Sequence, residues 1–518
     1  MNSQRDEVQA VIRDVTFGHR VAEDESDALV DYFVETDQWR RVWAGDVDVV
    51  LGPKGSGKSA MYATLVSRQD ALFDRNILIG IAENPKGQPA FRTLKDDPPA
   101  GEDEFANLWK LYFLALIGDA IDSYDIQNDA AKKLTRTLSD ARLRGGPKSL
   151  RQHLRDALDY VRRLAHLEEV EPNMAIDPTT GMPSGFSTRI KFAEPSSTER
   201  AVGALSVDDL FALADEAFAE ADVSLWILLD RLDVAFAGTP QFETLALRAL
   251  FRVYLDLNPY ETFRLKIFLR SDIWNSLSRS GFREASHVTR ELKIRWDRST
   301  LLQLITSRIT KSDKVTQRYD IDRTLVLTNS SAQENLLTRL YPTQVDSGPN
   351  KPATFDWCLS RTQDGTQQTA PRELIHLFST IREMQLKRLE AGDPLPGEET
   401  LFDRTAIKAA LPEVSQVRLE KTLYAEYPEE RGFIEAMEGA KTNHSISSLS
   451  SLWAVPQDEA LGSASRLVEI GFFEKRGTYP GPVSYWVPFL YRPALKMVQG
   501  SAEGVLTDAG NDESQDIP

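Results

Sequence analysis

The segment 47–59 reads VDVVLGPKGSGKS and fits the pattern G-x-x-x-x-G-K-[ST] at every fixed position. Each residue type has a physical task there. Glycines let the backbone turn its N–H groups inward around a phosphate chain, and a helix starting at the loop's end points its positive N-terminus at the same anion. Gly52, Pro53, Lys54, Gly55, Ser56, Gly57, Lys58, Ser59 and Ala60 are therefore the candidate nucleotide-binding residues. Lys58 is placed to reach the β- and γ-phosphates, and the Ser59 hydroxyl to hold Mg2+. A second stretch, SLWILLDRLDVAF at 224–236, supplies a carboxylate for that metal. Five apolar residues run into Asp230, the form of a buried parallel strand that delivers an acid beside the phosphate loop. Asp233 is the candidate catalytic base, and capping of the helix that follows is its alternative role.

These residues need a parallel sheet to hold them. Apolar-rich runs at 47–51, 77–81, 225–229 and 265–269 read as its strands, and 291–296 as a fifth. Between the second and third, residues 105–121, 130–143, 150–167 and 208–221 have helical spacing, so a helical insertion of about 105–221 is expected. Residues 85–104 read as a loop, and a hairpin is expected around 187–192. The expected organisation is a lead-in over 1–45, a nucleotide-binding core over 46–298 and a helical lid over 299–390. After the linker AGDPLPG at 391–397 come a smaller domain over 398–498 and an acidic, disordered tail over 499–518. In the smaller domain, helices precede two short strands at 472–476 and 484–488, the pattern of a winged helix.

Composition narrows the function classes. The chain has 518 residues, 41% hydrophobic and 27% charged, with net charge −17 and one cysteine, Cys358. A disulfide framework and a cysteine zinc cluster are excluded. No apolar run approaches a membrane span and the first residues lack an apolar leader, so a reducing cytoplasm is the expected location and no membrane partner is expected. Strong acidity disfavours indiscriminate nucleic-acid binding. Residues 401–500 hold eleven Lys/Arg against twelve Asp/Glu, which leaves protein contact the better expectation for the last domain. Residues 271–320 are locally basic, with ten Lys/Arg against six Asp/Glu.

The series FGHRVAEDE, VVLGPKGSGKSA, WILLDRLD, FLRSDIW and TAPREL, followed by the winged-helix-like end, resembles bacterial P-loop ATPases of the STAND, KAP and AAA+ group. The resemblance runs in outline over 15–495. It implies an α/β P-loop NTPase of the additional-strand (ASCE) type, with strand order 5-1-4-3-2, a helical lid and a C-terminal winged helix. It also implies ATP and Mg2+ as ligands. By the same resemblance Phe17-Gly18 looks like the element that packs on adenine, with a core-anchored loop as the alternative. Arg270, or else Asp272, looks like the sensor at the end of the fourth strand. Arg372 in Pro371-Arg372-Glu373 looks like the lid arginine that touches the γ-phosphate. Arg279, Arg283 and Arg290 stand where such proteins carry an arginine that enters a neighbour's site. One departure is plain: a glutamate usually follows the Walker B aspartate, and here the residue is Arg231. Together these features predict a slow or partner-stimulated ATPase switch acting with a protein effector or as a homo-oligomer, of a kind frequent in anti-phage defence. A DNA-directed loader and a nucleotide-binding scaffold without turnover are the alternatives.

Overall fold

The computed structural model describes residues 2–18, 33–82, 94, 98–144, 149–169, 190–197, 200, 204–232, 240–397, 400–477 and 482–502. The chain forms two compact units. One comprises 37–52 and 58–294; the other comprises 1–36, 53–57 and 295–518.

The first unit is built on five parallel strands: β1 (Val49–Gly52), β2 (Ile77–Ile81), β3 (Ser224–Leu229), β4 (Phe263–Arg270) and β5 (Glu291–Lys293). Their order across the sheet is β2-β3-β4-β1-β5, which is 5-1-4-3-2 read from the other edge. The register sets Val49 opposite Ile267 and Gly52 opposite Arg270 on one side of β1, and Val49 opposite Glu291 on the other. All four residues of β1 are buried, as a central parallel strand covered on both faces requires. This is the α/β P-loop NTPase architecture. β5 is shorter than the run 291–296 suggests, although the Ile294 N–H still donates to the Leu51 carbonyl at 2.7 Å.

Between β2 and β3 lie the helices Glu102–Ser123, Asp129–Asp140, Leu150–Glu169 and Val207–Glu220. The first starts three residues earlier than its apolar spacing predicts. Glu102, Asp103 and Glu104 form its opening turn, where carboxylates favour the positive helix end. Val207–Glu220 starts at a capping box made by Ser206 and Asp209. Helix Glu102–Ser123 packs into the main core: Trp109 Nε1 donates to the Ala246 carbonyl of helix Pro240–Leu257 at 2.9 Å, and the Tyr112 hydroxyl to the Ala82 carbonyl at 2.6 Å. Half of the hairpin expected around 187–192, residues 187–189, lies outside the described residues. Ile190–Lys191 pairs in parallel with Leu205–Ser206.

The second unit joins segments that the sequence separates. Helix Asn2–Asp14 is longer than its apolar residues alone suggest. It docks on helix Pro371–Glu390: Arg382 donates to the Ile12 carbonyl at 3.1 Å, and Arg5 to the Leu389 carbonyl at 2.9 Å. The expected division at 391–397 is a turn rather than a break. Leu374, Phe378 and Leu389 share one buried cluster with Ile407, Val414, Leu467 and Phe473, so lid and C-terminal segment have a common core.

The C-terminal segment runs helix Arg404–Arg418, a short helix Arg431–Glu435, β6 (Lys441–His444), helices Ile446–Trp453 and Gln457–Glu469, then β7 (Glu474–Arg476), β8 (Ser484–Trp486) and β9 (Val498–Ser501). The sheet order is β9-β6-β8-β7. β8 is antiparallel to both neighbours, and β9 is parallel to β6. The tail expected from 499 therefore begins later, since 499–501 complete a strand on the exposed edge of β6.

Candidate nucleotide-binding site

β1 ends at Gly52 and helix Lys58–Ser67 begins at Lys58, leaving Pro53–Gly57 as the loop. Gly55 and Gly57 have φ of +81° and +101°, a backbone region that side-chain-bearing residues rarely adopt. Torsion thus accounts for glycine at 55 and 57. Within the first unit Lys58 Nζ donates to the Gly52 carbonyl at 2.9 Å, folding the cation back onto the loop's entrance. Ser59 and Ala60 occupy the helix's first turn, half-buried. Within the second unit the loop is braced: Trp296 Nε1 donates to the Ser56 carbonyl at 2.8 Å, and Lys54 pairs with Glu426. Ser56 Oγ is buried and makes no hydrogen bond. The turn thus carries two glycines at positive φ and an orphaned hydroxyl.

Asp230 follows β3 directly and is 5% exposed. β3 lies beside β4, and β4 beside β1, so the three strand ends bring Asp230, Arg270 and Gly52 to one edge of the sheet. Arg231 has φ of +60°, left-handed for a bulky side chain, so the backbone turns sharply just past the carboxylate. Asp233 lies outside the described residues. Arg270 and Asp272, the two sensor candidates, are partners: Nε to Oδ1 is 3.1 Å and Nη2 to Oδ2 is 2.6 Å. Arg270 is 8% exposed and stands opposite Gly52 in register.

Arg372 is at the head of helix Pro371–Glu390, with Pro371 in its first turn. A Cβ added at Gly55 would lie 3.0 Å from Arg372 Cβ and 3.6 Å from Glu373 Oε2, so this helix head packs directly on the loop. Phe17 is 2% exposed, and its ring sits 5.6 Å from that of Phe378. Arg308 donates to its carbonyl at 2.6 Å, and Gly18 follows with φ of +73°. The Phe17 ring is thus packed in the core of this unit.

The three arginines before the last strand separate. Arg283 is exposed, and Arg279 ends its helix. Arg290 pairs at 2.7 Å with Asp48, which is fully buried just before β1, at the end of the strand away from Gly52. Asp48 also takes Lys266 Nζ at 2.8 Å, and the Tyr254 hydroxyl at 3.3 Å. Burial holds the Lys266 ammonium below its ordinary range against the opposing pull of Asp48, and pushes the Tyr254 hydroxyl up. Sequence reasoning passed over this cluster, although a lysine inside RLKIFLR and an aspartate inside VDVVL were its signal. It also passed over Glu373, Glu426 and Trp296, which carry no local signal.

No protein-family model matches the chain, and no curated protein matches it. Three solved structures are similar in outline. A Walker-type ATPase of Pyrococcus abyssi is 11% identical, with 90% of this chain and 96% of that chain covered and a TM-score of 0.39. The ORC1 protein of Aeropyrum pernix, solved in complex with DNA, is 12% identical, with 92% and 96% covered and a TM-score of 0.36. The ORC2 protein of the same organism, solved with ADPNP and ADP, is 12% identical, with 91% and 92% covered and a TM-score of 0.39. Among the described residues no helix is long and apolar enough to cross a membrane.

Proposed function

We propose that the chain is an ATP-binding and ATP-hydrolysing P-loop switch. The observation that carries this reading is the loop itself: two glycines at positive φ between a buried strand and a helix that opens on Lys58, with Arg270 opposite Gly52. Backbone N–H groups of the loop would cradle the phosphates, with Lys58 moving off the Gly52 carbonyl to meet them. Ser59 and Asp230 offer two oxygen donors of the kind Mg2+ takes, and phosphate oxygens and water would complete its shell. The metal's chemistry is to neutralise charge developing on the phosphates. Arg270 and Arg372 would add fixed positive charge, and Asp233 would orient the attacking water.

The order helix–short helix–strand–helix–helix–strand–strand over 404–486 supports the winged-helix reading of the C-terminal segment. Its second long helix, Gln457–Glu469, carries Asp458, Glu459 and Glu469 against Arg466. That charge repels phosphate backbones, so the segment is better suited to a protein effector or a second copy than to DNA. The effector would be a separate chain, as the resemblance to P-loop ATPases often encoded in defence loci implies.

The test is Mg2+-dependent ATP hydrolysis by the purified chain, with Lys58→Ala and Asp230→Asn beside it and mass followed by light scattering. Turnover lost in both variants, with a mass change on ATP, is the expected result. Turnover retained in Lys58→Ala refutes the site. Tight ATP binding without turnover supports a second reading, a nucleotide-binding scaffold, which Arg231 in a left-handed turn after Asp230 favours. Salt-dependent DNA binding would favour the loader reading.

A further inference from the structure

We infer that Arg418, on the helix that opens the C-terminal segment, is a positioning residue for Arg372: it grips Glu373 and so keeps the head of helix Pro371–Glu390 packed on the phosphate loop. The inference rests on the nucleotide-binding reading of that loop. Every residue in it belongs to the second unit.

The grip is a buried ion pair. Arg418 Nη1 lies 2.9 Å from Glu373 Oε1, with side-chain exposures of 9% and 6%. Arg418 Nη2 is 3.6 Å from Asp364 Oδ2. Glu373 Oε2, the oxygen on the loop side, is buried and makes no hydrogen bond. Glu373 is thus held from behind by the C-terminal segment while its front faces Gly55, with Arg372 beside it. A buried carboxylate is costly without a partner, so Arg418 decides where this helix head can sit.

The turn that leads into Pro371 is fastened to the same segment. Gln363 bridges Thr369, and at the tip between them Gly365 N–H donates to the Gly471 carbonyl at 2.7 Å. A Cβ at Gly365 would lie 2.2 Å from the Phe473 carbonyl oxygen, so no other residue allows this approach. Both sides of the helix head are therefore anchored on the C-terminal segment.

The helix carrying Arg418 is itself shaped for the task. Immediately after Arg418 it widens into a π turn, Leu419–Tyr424, before continuing to Glu426, which pairs with Lys54 of the loop. Residues eight apart in a regular α-helix point about 80° apart. The residue that a π turn inserts cancels roughly 100° of rotation, bringing Arg418 and Glu426 to within about 20° of one face. One helix face thus holds both Lys54 and, through Glu373, Arg372. A cavity of about 200 Å³ between the two helices, lined by Arg372, His376, Arg418 and Lys421, leaves room for the helix head to move when the grip is lost.

The test uses the full chain as wild type, Lys58→Ala, Arg372→Ala, Arg418→Met and the double variant Arg372→Ala/Arg418→Met. Steady-state ATP hydrolysis is measured together with hydrogen exchange over 371–378. Because Arg418→Met strands Glu373, Glu373→Gln/Arg418→Met is added to remove both charges together. Arg418→Met is expected to lower kcat about tenfold, as Arg372→Ala does, and the double variant no further, since Arg418 acts through Arg372. Glu373→Gln/Arg418→Met shows the same loss with a melting temperature near that of wild type. A kcat within twofold of wild type in these Arg418 variants, or losses that multiply in Arg372→Ala/Arg418→Met, overturns the inference. If no Lys58-dependent turnover exists, the nucleotide reading falls separately. Exchange over 371–378 then decides: faster in Arg418→Met upholds the positioning, and unchanged refutes it.

Discussion

Replacing Gly365 by alanine should destabilise the second unit, while the same change at Gly462 should stabilise it. Gly365 has an ordinary φ, so torsion is not the obstacle. The obstacle is space: the new Cβ would lie 2.2 Å from the Phe473 carbonyl oxygen, 2.5 Å from its carbon and 2.9 Å from the Gly471 oxygen. A relaxed carbon–oxygen contact is about 3.3 Å, so the two segments must part by roughly 1 Å. All three atoms are backbone and cannot rotate aside. Parting also breaks the 2.7 Å bond from Gly365 N–H to the Gly471 carbonyl. Overpacking costs about 1–3 kcal/mol and the lost hydrogen bond about 0.5–1.5 kcal/mol, so about 2–4 kcal/mol is expected in sum. At roughly 2–4 °C per kcal/mol for a unit of this size, the transition falls by roughly 4–16 °C. Gly462 lies exposed inside helix Gln457–Glu469, where a Cβ meets only Arg466 Nη1 at 3.9 Å. Alanine there removes backbone freedom from the unfolded chain and should add about 0.5–1 kcal/mol. Scanning calorimetry resolves the two units' transitions, and hydrogen exchange at 471–473 localises the damage. A Gly365→Ala melt within 1 °C of wild type, or an equal fall in Gly462→Ala, would refute the packing argument.

Other outcomes follow from the same geometry. Asp48→Asn removes the carboxylate that compensates Lys266, buried among the Gly45 and Val47 carbonyls, and should cost the first unit about 3–5 kcal/mol by denaturant titration. Ser56→Ala removes a buried hydroxyl that has no partner, so melting should hold within about 0.5 kcal/mol while binding of an ATP analogue weakens several-fold. His444 is buried, with Nε2 donating to the Lys441 carbonyl at 2.7 Å and Nδ1 facing Ser448 Oγ at 3.1 Å, and burial lowers its pKa from the ordinary 6.5. Above pH 6.5 the ring is neutral in both folded and unfolded chains. As pH falls below 6.5 the unfolded chain takes up the proton first, so stability declines, and His444→Gln should flatten that slope in melts between pH 7 and 5.

The loop was legible because its demands are local. Gly55 and Gly57 are needed for torsions that can be read from residue type, and the runs flanking Asp230 and Arg270 are apolar because parallel strands are covered on both faces. The strand order implied by the resemblance is the order observed. Chain ends and pairings were less legible. The parallel pairing of 190–191 with 205–206 had no local signal, and the tail expected from 499 begins with a strand. In both cases a short segment of weak preference takes the partner that the fold brings near it.

The sequence by itself determined the glycine loop, the strands that flank it and the acid at the end of the third. Those features depend on torsion and on burial within a few residues of each other. Only the tertiary structure decided the partners: Lys54 with Glu426, Asp48 with Lys266 and Arg290, Glu373 with Arg418, and helix Asn2–Asp14 against Pro371–Glu390. With 61 Lys/Arg and 78 Asp/Glu in the chain, residue type allows thousands of ion pairs. Coulomb attraction selects among them only after packing has set the distances and removed the water.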